Sequence, residues 1–209
     1  MLIFKQTTKT AKNVIDEVAI TLRDSENNIW SEEEMLQALQ DTIEDLYPDV
    51  LLPLVDTSLE TSNGIFEYTI PADFESIEKV SVKFPLDDVY AQVGFYIKNT
   101  ITGGTIVLRK FEEGGGTIEL VGGKRIPTPT SETSALEYSF ETDKVVRIGM
   151  RLELYKTVLL DKSKMNQLSA RETETTEVDV MNVIDRIEKE YTKRKEHLAT
   201  SFITQLNRI

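Results

Sequence analysis

The residues equipped for chemistry are few, and their types decide which chemistry is open. One histidine, His197, and no cysteine occur in the 209-residue chain. Without a second imidazole or any thiolate, the commonest zinc sites and the Ser-His-Asp triad are excluded. His197 stands beside Lys193, Arg194, Lys195 and Glu196 on the charged flank of a helical stretch, where a solvated imidazole is expected. Carboxylates are what remains. Asp87-Asp88 is the best pair, yet adjacent acids in a loop ordinarily serve the turn itself. Glycoside hydrolysis or metal-assisted phosphoryl transfer needs acids that converge in space. Two glycine-rich stretches invite a phosphate reading. Gly114-Gly115-Gly116 lacks the later glycine of a dinucleotide fingerprint and opens no helix. Gly122-Gly123-Lys124-Arg125 ends like a phosphate-binding loop, but five residues part Gly116 from Gly122, and Arg125 stands where Ser or Thr is required. Hairpin glycines explain both. The expectation is a non-enzymatic protein with no catalytic residue, no metal ligand and no cofactor.

The elements that carry these residues follow from periodicity. Ile15, Val18 and Leu22 recur at helical steps and predict a helix over 10–24, followed by a turn at Ser25-Glu26-Asn27-Asn28. Ser31 then opens a second helix. Its hydroxyl can accept from the Glu34 amide while the Glu34 carboxylate reaches back, with Trp30 and Met35 placed for a hydrophobic staple. Pro48 stops this helix at about Tyr47, and the pair makes an antiparallel hairpin. Strands are expected over 65–70, 77–84, 95–100, 105–111 and 117–121, the last three as an antiparallel meander between glycine turns. The stretch 127–134 reads as a linker without core-forming residues. A mostly buried helix follows over 143–160, where Gly149 would let another helix approach closely. A polar loop fills 161–176, and a last helix spans 177–206 with Val180, Ile184, Ile187, Tyr191, Leu198, Phe202 and Leu206 on one face.

The fold class expected is therefore α+β. A helical core of residues 1–62 and 135–209 would carry an inserted antiparallel β region at 63–126, joined through the linker at 127–134. The last helix, about 43 Å long at 1.5 Å per residue, outreaches the preceding one, at about 27 Å. Its overhang, carrying Leu198, Phe202 and Leu206, is covered either by the first hairpin within one subunit or by another chain.

Composition narrows the function classes. No apolar run is long enough to span a membrane, no secretory signal opens the chain, and the lack of cysteine fits a reducing cytoplasm. A formal net charge of −12 repels phosphates, so sequence-specific DNA binding is not expected. From Asp16 to Asp49 the acids face Arg23 alone. That surface either keeps the subunit soluble, repels DNA or meets a basic partner.

The order of motifs carries a family likeness. Trp30-Ser31-x-x-Glu34-x-Leu36 opens the second helix, Pro48 closes it, and Tyr68-Thr69-Ile70-Pro71-Ala72-Asp73-Phe74 leads to Ile77 and Val80. This resembles the head-to-tail adaptor (connector) proteins of tailed bacteriophages, in which a tryptophan and a small polar residue start that helix. The likeness follows most of the chain in order, with its specific part at residues 14–80. Met35-Leu36-Gln37-Ala38 departs from the asparagine that many relatives carry before an alanine. The resemblance implies a homo-oligomeric ring in the virion neck, docked on the portal protein, with DNA passing through unread. A tail or second neck protein would bind its far side. Leu198, Phe202 and Leu206 are assigned to the portal or subunit contact. Other readings are a different neck or tail-tube component, or an acidic domain that mimics DNA to inhibit an enzyme.

Overall fold

In a computed structural model describing residues 9–100, 103–109, 114–171 and 175–206, the chain is α+β. Contacts divide it into two compact units. One takes the chain up to Val50 and from Ile126 to Thr200; the other is built on Leu51–Arg125.

The helical unit opens with α1 (Ala11–Thr21), capped by Thr10, whose side chain accepts from the Asn13 amide while Asn13 returns the bond. Val14, Ile15, Val18 and Leu22 bury its inner stripe. The chain then turns through Arg23 and Asn27, both at positive φ (57° and 54°). α2 (Glu32–Leu46) starts at Ser31 with the expected reciprocal cap. Trp30 and Met35, at the two staple positions, are both fully buried. A cis bond joins Tyr47 to Pro48, where the helix has ended. α3 (Phe140–Leu160) begins three residues before the sequence indicates, because Ser139 caps it through the Thr142 amide.

Gly149 is a point of close approach. A Cβ there would lie 2.4 Å from Thr42 Cγ2 and 2.9 Å from Tyr191 Cε2, so α2 and the last helix both press on α3 at this residue. The expected loop at 161–176 is corrected: α4 (Lys162–Arg171) occupies most of it, started by Asp161 Oδ1 accepting from Ser163 and Lys164 amides. Only Lys164 and Leu168 bury its inner side, a stripe too thin to show as periodicity. α5 (Glu177–Leu206) matches its expected span and buries Val180, Ile184, Ile187 and Tyr191. The stretch 127–134 has no helix or strand but is tied down. Pro129 is buried and accepts from Gln40 Nε2 at 2.8 Å, and Ser134 and Glu132 carbonyls accept from the first amides of α1.

The sheet unit holds β1 (Leu52–Glu60), β2 (Glu67–Thr69), β3 (Ser76–Lys83), β4 (Ala91–Gln92), β5 (Phe95–Thr100), β6 (Gly103–Leu108) and β7 (Thr117–Lys124). They form two antiparallel sheets in the orders β1-β7-β3-β4 and β2-β6-β5. Two corrections follow. β1 extends the β region back to Leu51, where the sequence reading had 1–62 in the helical core. Pro53 and the polar Asp56-Thr57-Ser58 disguise it, and an edge strand tolerates both. The meander also fails at its third strand: β5 pairs with β6, but β7 pairs with β1 and β3. Ile118, Leu120 and Val121 are buried on β7, as suits a central strand. The expected end of the fourth strand, Phe111, lies outside the described residues. Ile77, Val80, Val82, Ile106, Leu108, Ile118 and Leu120 make one core from the strands of both sheets.

Candidate functional site

The phosphate-loop reading of Gly122-Gly123 ends at β7. Gly122 pairs with Leu54 on one side and Ile77 on the other, so it lies inside the sheet and opens no helix. A Cβ at Gly122 would lie 1.9 Å from the Ser76 carbonyl oxygen, which is why this position is a glycine. Gly114-Gly115-Gly116 is likewise spoken for, with Asn63 Oδ1 accepting from the Gly114 amide and Thr61 Oγ1 from Gly116. Asp87 and Asp88 are exposed in the turn after β3, where Asp87 accepts from the Phe84 amide at 3.3 Å. His197 is exposed on α5. Among the described residues, no group of three or more His, Cys, Asp or Glu side chains could hold a metal ion.

The family-motif residues divide between the two units. Trp30, Ser31 and Glu34 come together in the helical unit. The Trp30 indole donates to the Leu154 carbonyl at 3.1 Å and to Thr157 Oγ1 at 3.0 Å, and stands edge-on to Tyr155. Glu34, besides capping, pairs with Lys164 of α4. Burial raises the Glu34 pKa, but Lys164 and the Ser31 N–H outweigh it and hold the carboxyl below its usual range. Leu36 is half-buried on α2, and Pro48 is exposed. Tyr68 and Pro71 belong to the sheet unit. The Tyr68 hydroxyl accepts from the Ser62 amide and donates to the Ile65 carbonyl, and Pro71 starts a turn closed by the Phe74 amide. These contacts are all structural.

Sequence reasoning missed Asp24. It is buried, and its carboxylate accepts from the Asn28, Ile29 and Trp30 amides at 3.0 to 3.2 Å, fixing the turn that delivers Trp30. The available signal was an aspartate at the end of a helix, a few residues before an Asn-Ile-Trp run with no other acceptor. A second buried carboxylate, Asp143, pairs with Lys9 and Arg147, both at 3.2 Å, and Glu17 joins the same two cations. This network closes α1 onto α3.

Near the expected contact lies a groove of about 600 Å³ flanked by the C-terminal end of α2, α3 and α5. Tyr191 Oη donates to Asp45 Oδ2 at 2.8 Å, and Lys195 Nζ lies 3.2 Å from both Asp45 and Asp49 carboxylates. Burial acts to raise the Asp45 pKa, but hydrogen bonds from Tyr191 and Lys195 outweigh it and leave the carboxyl below its usual range. Burial, then the bond to Asp45, raises the Tyr191 phenol. A protonated phenol and an ammonium held between two carboxylates suit ion pairing and docking rather than proton transfer. Leu198 is half-buried next to the lining residues Ala199 and Thr200. The side chains of Phe202 and Leu206 lie outside the described residues.

No protein-family model and no curated protein matches the sequence, so the functional reading rests on the residues and their arrangement. No helix among the described residues is long and apolar enough to cross a membrane.

Proposed function

We propose that the protein is a structural virion component, a head-to-tail adaptor that assembles as a ring between portal and tail and extends the DNA channel. One observation carries the reading. Trp30-Ser31-x-x-Glu34-x-Leu36 begins the second of two N-terminal helices, and a β region that contains Tyr68 and Pro71 separates it from long terminal helices, in the family's order. In this reading the protein works without catalysis, is assembled in the host cytoplasm and resides in the virion neck. Those acids between Asp16 and Asp49 that face the channel would keep passing DNA from adhering, by like-charge repulsion. The end of α5, through Leu198, Phe202 and Leu206, supplies a contact to the portal or a neighbouring subunit.

Electron microscopy of the purified protein, alone and mixed with candidate portal, tests this. Rings are expected in at least one of the two samples, and protein that forms none in either overturns the reading. Binding to a tail protein with no binding to portal would move the assignment to another neck or tail-tube component. Truncation after Lys195 addresses the α5 contact separately. The shortened chain is expected to fold and to lose assembly, and full assembly competence would remove that role.

A further inference from the structure

Charge on α2 is sorted by face, and α5 carries a narrow basic stripe. At about 100° per residue, Glu33, Gln37, Asp41 and Glu44 fall within about 80° of one another on α2. They lie opposite the buried Met35, Leu39, Ile43 and Leu46, and all four are exposed. The other acids of α2 have cations: Glu32 pairs with Lys12, Glu34 with Lys164 and Asp45 with Lys195. Among the described residues Glu33, Asp41 and Glu44 pair with no cation, and Asp41 accepts only from Gln37 Nε2 at 2.7 Å. α5 mirrors this with the opposite sign. Arg186, Lys189 and Lys193 fall within about 60°, with no acid of the helix between them. They too are exposed, opposite the buried Val180, Ile184, Ile187 and Tyr191. Arg194 pairs with Glu190, and Lys195 with Asp45 and Asp49, whereas Arg186, Lys189 and Lys193 pair with no acid among the described residues.

We infer that these two faces bind each other between neighbouring copies, the acidic face of α2 on one subunit meeting the basic face of α5 on the next. The inference rests on the ring reading above and names its contact. Three acids over about 16 Å of α2 face three cations over about 10 Å of α5, so number and sign agree and the shorter row fits within the longer one. Two different faces of one chain make a head-to-tail interface, which closes into a ring when the rotation between neighbours closes. A basic face is also the exception on a chain of net charge −12, whose copies otherwise repel. Complementary ridges overcome that repulsion in one orientation only and so set the register of assembly.

The test is sedimentation velocity on the full chain, alone or on portal, in whichever condition the wild type assembles. Raising NaCl from about 50 to about 500 mM is expected to weaken wild-type assembly, since exposed pairs are screened. Arg186→Glu with Lys189→Glu and Lys193→Glu, and separately Glu33→Lys with Asp41→Lys and Glu44→Lys, should each weaken it by about tenfold or more. The six substitutions together should restore it to within about threefold, because the faces are again opposite in sign. Circular dichroism checks folding, and a reversal variant that loses helicity is replaced by the glutamine triple at 186, 189 and 193, read in the same way. Reversal variants that assemble like wild type, or assembly indifferent to salt, overturn this contact and leave the ring reading standing. A wild type monomeric alone and on portal overturns both. Duplex DNA held through Arg186, Lys189 and Lys193, with self-assembly unchanged by their reversal, overturns the contact in favour of a nucleic-acid face.

Discussion

Asp24 shows how much one carboxylate can organise. It follows α1, closes a turn containing the positive-φ residue Asn27, and satisfies the amides of Asn28, Ile29 and Trp30. Asp24→Ala strands those donors in a buried place, and each unsatisfied buried donor costs about 1–3 kcal/mol. The expected loss in urea unfolding is therefore about 2–4 kcal/mol, with Asp24→Asn falling between alanine and wild type. A loss under about 0.5 kcal/mol would mean water replaces the carboxylate without strain. Trp30, the only tryptophan and fully buried, reports this directly, because its emission should be blue-shifted in the folded chain and move red on unfolding. Titration acts through two other acids. Glu34 and Asp45 both have depressed pKa values, so the stability they give is complete above their unfolded pKa, about 4, and is lost as pH falls through the lower folded values. Their side chains are 42% and 60% exposed, which keeps the effect small through solvent screening. The urea midpoint should fall as pH drops below about 4, and Glu34→Gln should flatten part of that fall. A midpoint that drops chiefly between pH 7 and pH 5 would assign the acid sensitivity to other groups.

Between elements, the decisive contact is Gly149. Alanine is favoured over glycine in a helix by about 1 kcal/mol, yet its Cβ would sit 2.4 Å from Thr42 Cγ2, on a stiff β-branched side chain inside α2. Overpacking should win, and Gly149→Ala should destabilise by about 1–3 kcal/mol. Thr42→Ala removes the opposing methyl, so the double variant should regain about 1 kcal/mol over the sum of the single changes. A stabilising Gly149→Ala would show that the helices have room to separate. The same element scale explains what the sequence could and could not say. The start of α2 was legible because Ser31, Glu34, Trp30 and Met35 act within one turn of chain. α5 was legible because its apolar stripe runs for many turns. α4 was not, since two buried residues leave no period. Nor was the partner of β7, because Leu54 and Ile77 reach it from distant sequence and strand pairing leaves no local mark. The groove at Asp45, Tyr191 and Lys195 was hidden for the same reason: residues 146 and 150 positions apart meet only once α2 and α5 pack.

For the molecule as a whole, the α+β class was readable from helical and strand periods in succession, but the junction between units was placed too late. Val50 and Ile126, the residues that flank the sheet unit, are both buried. Within the sheet unit, β1 and β7 are antiparallel neighbours, and Leu52 is paired with Lys124. Paired antiparallel residues lie about 4.5–5.5 Å apart, so the two ends of the sheet unit lie side by side. That is the geometry of an inserted domain, whose ends meet and whose removal need not strain its host. Replacing Leu51–Arg125 with a Gly-Ser linker of about four residues should therefore leave the helical unit folded. Its core stripes, the Trp30 bonds to Leu154 and Thr157, and the Lys9–Asp143–Arg147 network all lie on its own side of the junction. Far-UV circular dichroism should remain strongly helical, Trp30 emission should stay blue-shifted, and urea unfolding should remain a single cooperative step. Red-shifted emission or a broad, non-cooperative transition would show that the helical unit depends on its insertion. With the fold intact, the shortened chain also separates functions, because both charged ridges remain while Tyr68 and Pro71 are gone. Retained salt-sensitive self-association would place subunit recognition in the helices alone, and its loss would bring the sheet unit into the ring contact.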